Sequence, residues 1–312
     1  MDLSIVIPVY NEYANISTLC GEIKKVTALL DLSYEIIFIN DGSTDNTLET
    51  LKTARRYDPA IKIIDLQRNF GQTAAIMAGF DTAKGEIVVT MDGDLQNDPK
   101  DIPGLIDKLN SGYDLVSGWR KKRKDAFLLR ILPSRAANRL ISFILKTPLH
   151  DYGCAIKAYR KNVIKNMRLY GEMHRFIPAI ANWRGAKIAE VEVTHRPRQH
   201  GKAKYGINRT SKVLLDLLLV AFLSEYSTKP IRFFGGMSII TGTLGFISFL
   251  FVAYMKLANK IDMTGNPLLI LGVLFSLVSI QLISIGFLGE INIRIYYESQ
   301  DKKTYHIREI IE

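Results

Sequence analysis

The segment Met91-Asp92-Gly93-Asp94-Leu95-Gln96-Asn97-Asp98 sets two carboxylates one glycine apart, directly after a β-branched run. If that run is a strand, both acids stand at its tip and can hold a hard divalent cation, with positions left for diphosphate oxygens. Such a cation neutralises the charge that builds on a leaving diphosphate oxygen without any proton transfer. The same pattern occurs in solvated loops, so its meaning depends on where the chain puts it. Two other segments invite the same question. In Pro8-Val9-Tyr10-Asn11-Glu12 a proline closes an apolar run, and Tyr10 and Glu12 beyond it can stack on and hydrogen-bond a flat base. In Asn40-Asp41-Gly42-Ser43-Thr44-Asp45-Asn46-Thr47, Gly42 permits a tight turn and Asp41 can accept hydrogen bonds from a ribose or base, whereas Asp45 and Thr47 read as turn and helix-capping residues.

The elements needed to position these residues are legible. Leu3–Val9, Glu35–Asn40, Ile61–Leu66, Glu86–Met91 and Asp114–Gly118 read as strands, and helical patterns at about Ile16–Leu29, Thr47–Arg56, Thr73–Ala83 and Asp101–Ser111 separate them. Near-continuous apolar strands alternating with helices predict an α/β, Rossmann-like doubly wound domain with a mainly parallel sheet. Ligands of such sheets bind at the carboxyl ends of the strands, where all three segments fall.

After Gly118 the pattern changes. Residues 126–147 mix apolar clusters with Arg130, Arg135, Arg139 and Lys146, which predicts interfacial helices with basic heads toward phosphates, or else core-facing helices with a solvated basic face. Residues 213–223 are too short to span a bilayer, carry Asp216, and read as a juxtamembrane interfacial helix. Phe233–Met255 and Thr264–Gly289 lack charged residues and are each long enough to cross hydrocarbon. Lys229 and Arg232 before the first span, with Arg294, Lys302 and Lys303 after the second, place both termini and the large N-terminal domain in the cytoplasm. Residues 1–20 show no basic n-region or cleavage site of a signal peptide. Cys20 and Cys154 read as ordinary thiols without metal-ligand spacing.

The net charge of +10 is local: residues 118–146 hold nine Lys/Arg against one Asp, and 195–212 hold six Lys/Arg and no acid. Because these windows are interleaved with long aliphatic side chains and lie near the spans, anionic lipid or a phosphorylated substrate is preferred over RNA or DNA as their partner. The domain organisation expected is a cytoplasmic catalytic domain over 1–207, a juxtamembrane helix over 208–232, a two-span hairpin over 233–289 and a cytoplasmic tail over 290–312.

PVYNE (8–12), NDGSTDNT (40–47), MDGDLQNDP (91–99), HDYGCAIKAYR (150–160) and RQHGKAKYG (198–206), in this order, resemble the family 2 glycosyltransferases of the GT-A fold. Within them the match is to the polyisoprenyl-phosphate group, which includes bactoprenol glucosyltransferases and dolichol-phosphate mannosyltransferases. The resemblance implies that Pro8, Tyr10, Glu12, Asp41 and Asp92 bind the nucleotide sugar and that Asp92, Asp94 and Gln96 surround Mg²⁺ or Mn²⁺ and the diphosphate. It implies catalytic roles for Asp94 and for Asp151, the latter as a base or an acceptor-orienting group. Arg120, Arg135, Arg198, Lys202 and Lys204 are the candidates to clamp the lipid phosphate and donor diphosphate. The implied reaction is an inverting transfer of a hexose from a nucleotide sugar, UDP-glucose first, to undecaprenyl or another polyisoprenyl phosphate, by a membrane-bound homo-oligomer such as a tetramer. Mannose from a GDP donor and an aminoarabinose-type sugar are the alternatives within this chemistry. A nucleotide-sensing membrane scaffold is the alternative outside it, and a processive polysaccharide synthase lacks support because its Gln-x-x-Arg-Trp motif is absent. Two departures stand out: Asn40 replaces an acid of the family motif, and Lys157 stands at the end of a segment whose family version is acidic-Phe-Arg.

Overall fold

The computed structural model describes residues 1–121, 138–139, 141–142, 145, 147–165, 167–169, 171, 173–197, 217, 220, 222, 230–260, 266–299 and 307–311. The chain forms two compact units, Met1–Ala221 with Lys303–Glu312, and Phe222–Lys302.

The first unit is built on an eight-stranded sheet in the order β7-β5-β6-β4-β1-β2-β3-β8. Its strands are β1 (Leu3–Val9), β2 (Tyr34–Asn40), β3 (Ile61–Leu66), β4 (Ile87–Thr90), β5 (Leu115–Trp119), β6 (Lys157–Arg160), β7 (Ile188–Glu192) and β8 (Ile307–Ile311). β1 pairs in parallel with β2 and β4, β2 with β3, and β5 with β7. The helices α1 (Tyr13–Thr27), α2 (Thr47–Tyr57), α3 (Gln72–Thr82) and α4 (Ile102–Asn110) connect the early strands. Helix α1 shows why: Ile16, Leu19, Ile23 and Val26 recur at helical spacing and are all buried, while its remaining faces are largely open. They join Ile5, Ile7, Phe38 and Ile63 in one core, where full burial of each large apolar side chain stabilises by about 1.5–3 kcal/mol.

The α/β, mainly parallel fold expected from the sequence is present, with boundaries within a few residues of those predicted. Two antiparallel strands modify it. β6 inserts between β4 and β5, with Lys157 opposite Thr90 on one side and Ser117 on the other. β8, from the segment expected to be a tail, pairs antiparallel with the free edge of β3. A long, unpaired edge strand invites intermolecular pairing, and β8 occupies this one.

The second unit contains two long helices, Pro230–Asn259 and Pro267–Ser299. Both are long and apolar enough to cross a membrane, and 17% and 6% of their most apolar windows are buried, so they are not core helices of a globular fold. They meet through small residues: Ser279 Oγ donates to the Ser238 carbonyl at 2.8 Å, and Gly245 approaches Ser276 too closely for a side chain. The interfacial helices expected over 126–147 and 213–223 fall largely outside the described residues.

Candidate active site

At the tips of β1 and β2 two loops are laced together. The Asn11 backbone N–H donates to Ser43 Oγ at 2.9 Å, and Thr44 N–H donates to Asn11 Oδ1 at 2.8 Å. Glu12 N–H donates to Thr47 Oγ1 at 2.9 Å, and Asn15 Nδ2 donates to Glu12 Oε2 at 2.6 Å. Asp45 Oδ1 accepts from the backbone N–H of Thr47 at 3.0 Å, a turn contact rather than the helix cap expected from sequence, since the N-cap of α2 is Asn46 and makes no side-chain capping hydrogen bond. Asp41 is buried, and its two oxygens accept the N–H groups of Phe70 and Gly71 at 2.7 and 3.0 Å. Burial raises its pKa above the usual carboxylate value, against the pull of those two hydrogen bonds. Gly42 is required here: its φ is +65°, and a Cβ would lie 2.3 Å from the Arg68 carbonyl carbon. Asn40 donates through Nδ2 to Asp65 Oδ1 at 2.8 Å, which an ionised acid in its place cannot do.

The tip of β4 is different. Asp92, Asp94 and Gln96 border a cavity of about 270 Å³, together with Pro8, Gln72 and Arg120. Gly93 must lack a side chain, because a Cβ would sit 2.6 Å from Val9 Cγ1; close packing of this loop on β1 therefore demands glycine between the two acids. Leu95 has φ +62°, a conformation that costs a non-glycine residue roughly 1–3 kcal/mol and that clusters at functional sites. Gln72 Nε2 donates to Asp92 Oδ1 at 2.8 Å, and Gln96 N–H donates to Asp94 Oδ1 at 3.1 Å. The loop is latched by Arg196, which pairs with Asp98 at 2.5 Å and Glu22 at 2.8 Å. Among the described residues no group of three or more His, Cys, Asp or Glu forms a complete metal cage. Two carboxylates and an amide at one polar cavity are nevertheless the hard oxygen donors that Mg²⁺ or Mn²⁺ takes when phosphate oxygens and water complete the shell.

The far wall comes from later in the chain. Arg120 grips Asp151 by a two-point fork, Nε to Oδ2 at 2.7 Å and Nη2 to Oδ1 at 2.9 Å. Burial disfavours the Arg120 cation, but the hydrogen bonds and charge of Asp151 outweigh it and hold the guanidinium pKa above its ordinary value. Gly153 N–H gives Asp151 Oδ1 a further donor at 3.0 Å. Lys157, Tyr159, His174 and Arg175 line the same cavity, and Thr73 Oγ1 lies 2.7 Å from His174 Nδ1. Burial pushes the Cys154 thiol up to about 11, so it is an inert neighbour of the cavity.

Of the residues singled out in the sequence, Pro8, Asp92, Asp94, Gln96 and Arg120 line the cavity, with Asp151 bound to Arg120. Tyr10, Glu12 and Asp41 belong to the laced loops and do not line it. Arg135, Arg198, Lys202 and Lys204 lie outside the described residues. His174 and Arg175 were not picked out, since the 3-10 turn Met173–Phe176 that carries them has no motif; Gln72 shows no signal beyond its place at the start of α3.

Residues 4–168 match the model of glycosyl transferase family 2. Over its whole length the chain is 44% identical to dodecaprenyl-phosphate galacturonate synthase of Rhizobium johnstonii, covering 94% of that protein. It is 35% identical to undecaprenyl-phosphate 4-deoxy-4-formamido-L-arabinose transferase of Aeromonas hydrophila, across 99% of this chain and 94% of the relative. Among solved structures, glucosyl-3-phosphoglycerate synthase of Mycobacterium tuberculosis with Mn²⁺ and UDP-glucose superposes with a TM-score of 0.54 at 19% identity, covering 70% of this chain and 78% of that one, a likeness of fold. The ordered motifs, the GT-A sheet and the full-length relatives agree: the chain belongs to glycosyl transferase family 2.

Proposed function

We propose that this enzyme transfers a sugar from a nucleoside diphosphate sugar, a UDP-sugar first, to the phosphate of a polyisoprenyl lipid at the cytoplasmic face of the inner membrane. The observation that carries the reading is the cavity at the β4 tip, where Asp92, Asp94 and Gln96 face Arg120 and Lys157 in a chain that also holds two apolar helices of membrane-spanning length. The names of the full-length relatives support the lipid-phosphate acceptor. They also move the sugar away from plain glucose, toward the modified pentoses and hexuronates.

In this reading Asp92 and Asp94, with Gln96, hold Mg²⁺ or Mn²⁺. When bound, the cation offsets the negative charge that develops on the leaving diphosphate. A lipid phosphate oxygen attacks C1 of the sugar and forms a new C–O bond. The bond from C1 to the diphosphate breaks, and its electron pair leaves with the nucleoside diphosphate, inverting the anomeric centre. A phosphate monoester is already an anion near neutral pH, so it needs orientation more than deprotonation. Asp151, with both oxygens accepting from Arg120, suits holding that guanidinium at the cavity better than accepting a proton. The laced loops carrying Tyr10, Glu12 and Asp41 form the nucleoside side, Asp41 acting through the Phe70–Gly71 backbone. Arg135, Arg198, Lys202 and Lys204 remain the candidates for the lipid phosphate.

Residues 1–207 are proposed as the catalytic domain, 208–232 as the juxtamembrane helix and 233–289 as the spans. The chain leaves the α/β unit, passes through two apolar helices and returns as β8 to the same sheet, which supports an even number of crossings. The test is incorporation of radiolabelled sugar into butanol-extractable lipid by the purified protein supplied with undecaprenyl phosphate. Label in the lipid is expected with at least one nucleotide sugar, and none with any UDP- or GDP-sugar would defeat the proposal.

A further inference from the structure

Asp151 is held from two adjacent strands. Its carboxylate is forked by Arg120, the residue that follows β5, and its backbone N–H donates to Oε1 of Glu190, in β7, at 3.1 Å. The Glu190 carboxylate also accepts the backbone N–H of His150, 2.9 Å from each oxygen, and its Oε2 lies 2.8 Å from His150 Nδ1. β5 and β7 run parallel with Ser117 opposite Glu190, so both grips on Asp151 are built on one strand pair. Alternation along β7 explains the direction. Ala189 and Val191 pack against the core, which turns Glu190 and Glu192 to the other face, where Glu192 pairs with Lys121 and Glu190 reaches the turn at 150–151. The His150 ring lies flat on Trp119, the last residue of β5, with centroids 4.3 Å apart. The carbonyls of the turn are occupied separately: Ser142 Oγ donates to Leu149 at 2.8 Å and Asn138 Nδ2 to His150 at 2.9 Å.

A carboxylate on two successive backbone N–H groups makes charge-assisted hydrogen bonds, roughly twice as strong as neutral ones, and the Glu190 side chain is only 10% exposed. Glu190 itself does not line the cavity, whereas Arg120 does. Asp151 can aim the guanidinium only as firmly as its own main chain is fixed, and Glu190 is what fixes the N–H side of that turn. Resting on the transferase reading above, we infer that Glu190 is a positioning residue for the transfer: through the backbone of Asp151 it sets Arg120 at the cavity. Distance from the chemistry does not make such a residue idle, because a displacement of about 1 Å at a group facing substrate costs on the order of 10²-fold in rate. Nothing in the sequence marks it, since a glutamate alternating with small and branched residues reads as the solvated face of an edge strand.

The experiment measures transfer by the full-length protein, reconstituted with undecaprenyl phosphate and Mg²⁺ and supplied with whichever nucleotide sugar the parent uses best. Glu190→Ala is expected to lower kcat/KM by about 10–100-fold, and Glu190→Gln, which keeps one acceptor oxygen, by less. The loss should divide between kcat and KM as it does in Arg120→Lys, which breaks the fork from the other end. Arg120→Lys combined with Glu190→Ala should stay within about 2-fold of Arg120→Lys alone, because no fork remains for Glu190 to hold. The same cycle run with the isosteric Glu190→Gln, whose melting temperature should lie near that of the parent, separates positioning from folding. Trp183→Phe leaves Trp119 as the single tryptophan, and its emission should change in Glu190→Ala as it does in His150→Ala, reporting release of the turn without any turnover. Parental kcat/KM in both Glu190 variants, losses that multiply in the double variants, or unchanged Trp119 emission would overturn the assignment while leaving the transferase reading intact. No transfer by the parent from any nucleotide sugar would defeat that reading and the positioning role with it.

Discussion

The tips of β2 and β4 carry the same residue type at the same topological position and use it differently. At β2, Asp41 is turned into the protein and its oxygens are consumed by the Phe70 and Gly71 backbone. At β4, Asp92 and Asp94 border an open cavity, with a strained Leu95 between Asp94 and Gln96. A strand-tip carboxylate is therefore not a site by position alone. It can become one where the loop is held by other groups, as Arg196 and Gly93 hold this one, so that both acids border the cavity while accepting from Gln72 and Gln96.

The sharpest break of that contrast falls on turnover. Asp94→Asn, and separately Asp92→Asn, should lower kcat by about 10²–10³-fold, the size of one lost charge-stabilising group, while the melting temperature stays near that of the parent. Retained turnover in either variant would move the cation elsewhere. Asp151→Ala should lower stability, because it strands the buried Arg120 guanidinium at the cavity; a loss of about 3 kcal/mol in urea-unfolding stability is expected, and Asp151→Asn, which keeps one acceptor, should lose less. For Asp41→Ala the order reverses. Losing two hydrogen bonds to a buried carboxylate should cost about 2 kcal/mol of stability, with nucleotide affinity falling less. Weakened UDP binding at unchanged stability would show instead that Asp41 touches the nucleoside.

The smallest effect is a pH dependence away from both tips. Glu35 is buried, yet hydrogen bonds from Ser4 and Lys84 and its pairing with Lys62 hold its pKa below the usual carboxylate value. A depressed folded pKa contributes stability that is fully present above the unfolded value and lost as pH falls through the folded one. Stability measured from about pH 6 down to about pH 3 should thus fall more steeply in the parent than in Glu35→Gln. Identical slopes would remove Glu35 as a cause.

The first half of the sheet was legible because its strands are short, apolar runs separated by amphipathic helices, and the cavity-lining carboxylates Asp92 and Asp94 because they follow the fourth such run. Other parts were not, for physical reasons. β6 begins with Lys157 and ends with Arg160, so it lacks the apolar signature of a buried strand; only its placement between β4 and β5 reveals the lysine on a cavity floor. β8 is five residues whose partner lies more than two hundred positions away, and local pattern carries no register at that range. His174 and Arg175 sit on a single 3-10 turn, and Asp41 has the composition of a ligand residue but the hydrogen bonds of a scaffold.

In the proposed reaction a sugar, without its phosphates, is joined to a phosphate already on the lipid. Mass spectrometry of the lipid after incubation of the reconstituted protein with undecaprenyl phosphate, Mg²⁺ and a panel of nucleotide sugars tests this directly. The expected product is the lipid monophosphate heavier by one sugar residue, formed in equal amount with released nucleoside diphosphate and missing with Asp94→Asn. A lipid diphosphate sugar, release of nucleoside monophosphate, or an unchanged lipid across the panel would contradict it.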